Sequence, residues 1–186
     1  SWKTWSGEKI VFKGIHESAQ GELSKTDIPA LPIFAYSGRG RKRMRKLLYY
    51  SIDQAQTCIL LTTAYFIPSR RLIQRLEKAV RRGVKVRLLV PGKSDIPIAS
   101  YAGRAFFSRL LKAGIEIYTY LGEMIHAKTY LFDQIWGIIG STNLDYQSLR
   151  YNDEGNIGIL NSSFASKMTE IFEVDIKNSV KIDKET

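Results

Sequence analysis

Cysteine and histidine are scarce in this chain, and each scarcity narrows its chemistry. One cysteine, Cys58, among 186 residues leaves no partner for an intramolecular disulfide and no thiolate cluster for a metal. Its place in the run Cys58-Ile59-Leu60-Leu61 predicts a buried strand residue. A chain without disulfides fits a reducing compartment. Two histidines, His16 and His126, add little to that one thiol as ligands, so no metal and no cofactor is expected. Long apolar runs are missing as well: the longest stretches, Cys58–Leu61 and Val84–Val90, are strand-sized and far too short for a bilayer span. No basic-then-apolar leader opens the chain, and no repeat, heptad run or low-complexity tract interrupts it. The first residue is Ser1 and not Met, which fits a processed chain or an excised piece of a longer one.

Acidic residues are short in one region. Between Arg39 and Arg87 lie fourteen of the 28 Lys and Arg residues, against only Asp53 and Glu77. With a net charge of +10, a basic face of this kind attracts phosphates, on nucleic acid or on an anionic membrane. Any one of these cations alone is better explained as part of a solvated helix face; the cluster as a whole favours anion attraction.

What is present suits one compact domain with a real core: 44% of residues are hydrophobic and 25% charged. Residues 1–37 read as a linker or peripheral N-terminal segment. Ile10-Val11-Phe12 suggests a short strand there, while Gly21, Ser24, Pro29 and Pro32 suggest loop. Met44, Leu47, Leu48, Ser51 and Ile52 recur at helical spacing, and Cys58–Phe66 reads as β-rich. Pro68 and Ser69 open an amphipathic helix that Gly83 stops, and Val84–Val90 is a strand. A helix over Ala105–Leu111 ends at Gly114, and strand Ile115–Tyr120 follows. This alternation predicts parallel strands with helical crossovers. Met124–Phe132, Trp136–Ser141 and Asn156–Leu160 then follow as strands without long helices between them, so antiparallel pairing is expected at one side of the sheet. Phe164–Val180 has a helical period. The fold class is therefore α/β, a mixed β-sheet flanked by helices on both faces.

Chemistry concentrates in His126-Ala127-Lys128-Thr129-Tyr130-Leu131-Phe132-Asp133 and in Gly140-Ser141-Thr142-Asn143. Residues two apart on a strand share a face, so His126 pairs with Lys128 and Ser141 with Asn143. A hairpin with a two-residue loop at Asp133-Gln134 would set His126 directly opposite Ser141. Imidazole, ammonium, hydroxyl and amide would then meet on one patch. Such a patch suits a phosphodiester: neutral imidazole attacks phosphorus, and Lys128 and Asn143 hold the non-bridging oxygens. Glu154, in Asn152-Asp153-Glu154, is the candidate carboxylate for orienting the imidazole. Each piece alone is weak, since His and Lys two apart are common on strands and Gly-Ser-Thr-Asn can be a turn. The joined pattern, His-x-Lys-x4-Asp-x6-Gly-Ser-x-Asn with a following Glu, is specific.

That pattern resembles the signature of the phospholipase D superfamily. The resemblance implies a phospholipase D-like sandwich, with His126 as nucleophile and Lys128 and Asn143 as phosphate ligands. Ser141 and Glu154 would support the histidine. Asp133 belongs to the same motif and is counted with the site, although its role is expected to be structural. The residue after it is Gln134, where a turn-forming Gly is common among relatives. Further blocks, Thr62-Thr63-Ala64-Tyr65-Phe66-Ile67-Pro68, Arg81-Arg82-Gly83-Val84-Lys85-Val86-Arg87 and Val90-Pro91-Gly92-Lys93-Ser94-Asp95, resemble the C-terminal half of bacterial cardiolipin synthases. Residues 38–186 are thus expected to form the catalytic domain.

Members of the superfamily use two such motifs, one histidine attacking and the other protonating the leaving oxygen. This chain has one, since His16 has no Lys, Asp or Asn companions in the pattern. The partner is expected to be the other motif-bearing half of a longer chain, which is favoured, or a second copy. The resemblance implies phosphatidyl transfer or phospholipase D-type cleavage through a phosphohistidine, on anionic phospholipid. Peripheral contact with the cytoplasmic face of the membrane follows from it, or a cytoplasmic location. A nuclease or other phosphodiesterase of the same superfamily is the first rival reading. A non-catalytic module binding anionic lipid or nucleic acid is the second.

Overall fold

The computed structural model describes residues 28–93 and 102–183; the suggested strand at Ile10–Phe12, His16 and the Ser94-Asp95 end of one resemblance block lie outside them. In chain order the elements are β1 (Ala30–Phe34), α1 (Gly38–Gln54), β2 (Cys58–Thr62), β3 (Phe66–Ile67), α2 (Arg70–Arg81), β4 (Lys85–Pro91), α3 (Phe107–Lys112) and β5 (Glu116–Tyr120). After them come β6 (Thr129–Phe132), β7 (Trp136–Gly140), β8 (Leu144–Asp145), α4 (Tyr146–Arg150), β9 (Gly155–Leu160), α5 (Ser162–Lys177) and β10 (Ser179–Lys181).

Eight strands form one sheet in the order β1-β9-β7-β6-β2-β4-β5-β10, and β3 pairs with β8 in a small second sheet. The central β2, β4 and β5 are parallel, as helical crossovers require. On one side β6, β7, β9 and β1 continue antiparallel, and β10 adds an antiparallel strand at the far edge.

Side-chain alternation along the central strands divides the core in two. Ile59 and Leu61 of β2, Val86 and Leu88 of β4, and Tyr130 and Phe132 of β6 pack with α1, α2 and α3. Leu60, Leu89 and Leu131, on the opposite side of the same strands, meet Phe172, Met168 and Ile176 of α5. Helices therefore cover both faces. On the larger side Leu48, Ile52, Leu72 and Ile73 are fully buried, each contributing about 1.5–3 kcal/mol.

Local signals explain the helix ends. The Ser37 and Ser69 hydroxyls accept hydrogen bonds from Gly40 N and Leu72 N, and Asn161 Oδ1 accepts from Phe164 N. Gly83 (φ 91°) and Gly114 (φ 94°) follow α2 and α3 in the left-handed conformation that favours glycine.

Four expectations need correction. The sheet begins at Ala30, because β1 pairs with β9; the boundary at residue 38 falls inside the folded unit. Met124–Lys128 lies outside the ladder, and β6 starts only at Thr129. The helix beginning near Phe164 ends at Lys177, and Ser179–Lys181 becomes a strand against β5. Cys58 is half-buried at the start of β2 and does not sit in the core.

Candidate active site

Antiparallel order places the end of β2, the start of β6, the end of β7 and the start of β9 at one end of the sheet. The sequence motif is spread over these four strand ends, which is how the fold gathers it. The detailed register differs from the two-residue hairpin. Phe132 pairs with Trp136 and Thr129 with Ile139, so the loop holds three residues, Asp133, Gln134 and Ile135. Lys128 O accepts from Gly140 N at 3.2 Å, and His126 is not opposite Ser141. Both motif ends leave regular pairing before their functional residues.

The segment Ser141-Thr142-Asn143 is fastened on every side. Ser141 N donates to Gly155 O (3.0 Å) and Gly155 N donates to Ser141 Oγ (3.1 Å). The Ser141 hydroxyl in turn donates to Glu154 Oε2. Thr142 is fully buried; its N–H and hydroxyl pair with the Asn156 carboxamide, and its carbonyl accepts from the Tyr130 hydroxyl. Burial raises the Tyr130 phenol above its ordinary pKa, which keeps it a donor. Gly140 is required next to this segment, because a Cβ there would collide with Gly155 O and Asn156 Oδ1.

Asn143 is buried, and its Oδ1 faces Tyr65 N (3.2 Å) and Thr63 Oγ1 (3.3 Å). Thr63 Oγ1 also accepts from Leu144 N at 3.1 Å. These bonds orient the carboxamide so that Nδ2 remains to donate, and among the described residues Nδ2 has no hydrogen bond. An amide held this way offers its N–H groups to an anion without reorganising.

The His126 side is more open. His126 is exposed, and its ring meets the Tyr65 ring edge-on with centroids 6.3 Å apart. Lys128 is buried, and its Nζ donates to His126 O at 2.7 Å. That bond ties the ammonium to the backbone of the very residue expected to react. Among the described residues the imidazole makes no hydrogen bond; Glu154 reaches Ser141 and not His126. The structure thus joins Glu154 to Ser141, and Asn143 and His126 to Tyr65.

Asp133 stands apart from this group. It lies at the turn, where its carboxylate accepts from Gln56 N, Thr57 N, Thr57 Oγ1 and Cys58 N at 2.8–3.1 Å. Burial would raise its pKa, but the backbone N–H groups of Thr57, Gln56 and Cys58 outweigh it and hold the carboxyl below its ordinary value. In this position Asp133 fastens the hairpin to the start of β2.

Thr63, Tyr65, Tyr130, Thr142 and Asn156 were not singled out from the sequence as site residues. Asn156 carried the best available signal, a polar side chain opening an otherwise apolar strand. Among the described residues no cluster of three or more His, Cys, Asp or Glu side chains is placed to hold a metal ion. No helix among them is long and apolar enough to cross a membrane.

Comparisons with known proteins agree with this architecture. Cardiolipin synthase B of Salmonella typhi is 31% identical over 166 residues, which is 89% of this chain and 40% of that protein. Cardiolipin synthase A of Buchnera aphidicola subsp. Schizaphis graminum is 31% identical over 185 residues, 100% of this chain and 38% of that one. The chain therefore spans about two fifths of the length of these relatives. The crystal structure of Nuc, a phospholipase D family member from Salmonella typhimurium, superposes with a TM-score of 0.70 at 21% identity, covering 84% of this chain and 99% of that one. Residues 48–176 match the family described as cardiolipin synthase, PLD-like domain, and the chain belongs to that family.

Proposed function

We propose that this chain is one half of a phosphatidyl-transferring centre of the cardiolipin synthase type, with His126 as nucleophile. The observation that carries the reading is an exposed imidazole set against Tyr65, whose N–H also holds Asn143 with its amide donor uncommitted. In the first step an imidazole nitrogen attacks the phosphorus of an anionic phospholipid. The P–N bond forms, the P–O bond to the departing alcohol breaks, and that alkoxide takes a proton from an acid in the other half of the site. Lys128 and Asn143 stabilise the charge on the non-bridging oxygens. In the second step an acceptor alcohol gives its proton to the same acid, now a base, and its oxygen displaces His126. Water in place of the alcohol gives hydrolysis.

Glu154 supports the site through Ser141, keeping the end of β7 against the start of β9. The other half comes from the remainder of a longer chain or from a second copy. The complete protein works at the cytoplasmic face of the membrane.

The test is chemical trapping in the complete protein. Incubation with short-chain phosphatidylglycerol, rapid quench and mass spectrometry should find a phosphatidyl adduct on His126, absent in His126→Ala. An adduct on another residue would overturn the reading. A nuclease reading is supported by Nuc, whose whole fold is matched by a chain of this size, and by the basic surface. Turnover of nucleic acid with none of anionic vesicles would select it. A binding module without catalysis requires His126→Ala to leave function intact.

A further inference from the structure

We propose that the outer surface of β1 and the exposed stripe of α1 dock this protein onto an anionic phospholipid bilayer. A groove there is lined by Leu31, Phe34 and Tyr36 on one side and Arg39, Arg43 and Leu47 on the other. A second groove shares Arg43 and Leu47 and adds Lys46, Tyr50 and Arg71. Single exposed apolar residues need no explanation. Here Leu31, Phe34, Tyr36 and Tyr50 are 51%, 62%, 71% and 64% exposed along adjoining grooves.

Several of the cations beside them have no ion pair among the described residues. Arg41 pairs with Asp153 and Arg75 with Asp53. Among the described residues Arg39, Arg43, Lys46 and Arg71 have no ion pair, and no Asp or Glu occurs from Ile28 to Ile52. Apolar and aromatic side chains rimmed by such cations match the boundary between acyl chains and anionic headgroups. A nucleic-acid backbone would use the same cations but leave Leu31 and Phe34 without a role. The surface also adjoins the catalytic end: Phe34 pairs with Gly155, and Ala35 N donates to Glu154 O at 2.8 Å. Docking by this face would bring headgroups beside the site. The purpose of docking rests on the lipid reading of His126, while the binding itself does not.

The experiment is co-sedimentation with vesicles of phosphatidylcholine, with and without phosphatidylglycerol. The protein should sediment with the anionic vesicles only. The triple variant Arg39→Gln/Arg43→Gln/Lys46→Gln should lose on the order of a hundred-fold in partition, from about five-fold per cation. Phe34→Ser/Tyr36→Ser should lose about ten-fold. All these positions are exposed, so circular dichroism should be unchanged. A charge-matched control, Arg81→Gln/Lys112→Gln/Lys177→Gln, should keep most of the binding. His126→Ala should bind vesicles as the wild type does, which separates docking from turnover. Equal losses in control and test variants would overturn the proposal. So would capture of duplex DNA by the same residues without vesicle binding, or a stable dimer that Phe34→Ser dissociates.

Discussion

The β6–β7 hairpin carries one short motif at both of its ends, and the two ends are built differently. At the turn, Asp133 accepts from three backbone N–H groups and a hydroxyl, all from the start of β2 and the residues before it. At the other end, roughly 15–20 Å away by strand rise, His126 is exposed and Asn143 Nδ2 has no hydrogen bond among the described residues. The turn satisfies its charge internally. The open end holds its scaffold rigid, through Thr142 and Tyr65, while leaving reactive groups unspent. Spacing in a motif therefore marks what a fold needs at two distant places, and hydrogen bonding separates the member that fastens the turn from those proposed for the chemistry.

The comparison breaks most sharply at His126. In the complete protein His126→Ala should lower turnover at least about a thousand-fold, since no neighbouring group here replaces a nitrogen nucleophile. Its thermal midpoint should not move, because the ring is exposed. Glu154→Gln should cost less, about ten- to a hundred-fold in kcat with KM little changed, because it acts through Ser141. An equal rise in KM would show that Glu154 binds substrate instead.

The turn end should answer with stability alone. Asp133→Ala leaves Gln56 N, Thr57 N and Cys58 N without their acceptor and should cost about 2 kcal/mol in denaturant unfolding. Turnover measured well below the midpoint should be unchanged. The pH dependence has a definite sign. The folded carboxyl lies below its unfolded pKa, so its contribution is complete above that unfolded value and fades as pH falls through the folded one. The stability gap between wild type and Asp133→Asn should therefore be widest near neutrality and shrink in acid. A gap that widened in acid would show that the carboxylate is not the stabilising form.

Much of this was legible where the signal is local. The helical spacing of Met44, Leu48 and Ile52, the Ser69 cap and the Gly83 stop each mark α1 and α2 within a few residues. Alternation of strands and helices gave the parallel centre. Elements decided by distant pairing were less visible. Pro32 disguised β1 as loop, yet an edge strand tolerates proline because its N–H side need not pair. Val180 continued the helical period of α5, but Asn178 ends the helix and β5 captures the next residues. At the candidate site, spacing alone proposes the His, Lys, Ser, Asn and Glu positions. Thr63 and Asn156 could not be named this way, since their importance lies in hydrogen bonds to residues 81 and 14 positions away in sequence, respectively. The register slipped by one residue for the same reason: loop length depends on a backbone conformation that composition does not announce.

That conformation supplies the smallest test. Gln134 has φ 55°, a left-handed backbone that costs a side chain with a Cβ about 1 kcal/mol. Asp133, at φ 53°, shares the conformation but repays it with its carboxylate bonds, whereas Gln134 has no such compensation among the described residues. Gln134→Gly removes the steric cost and adds some unfolded-chain entropy, for a net gain of about 0.5 kcal/mol. The thermal midpoint should rise by about 1–2 °C, and turnover should not change. Asp133→Gly, at nearly the same φ, should instead lower the midpoint, because it relieves the backbone but loses the carboxylate. If both glycine substitutions moved stability in the same direction, backbone strain and carboxylate pairing would not be separable at this turn. If Gln134→Gly altered kcat, the two ends of the hairpin would be coupled and the division between them would fall.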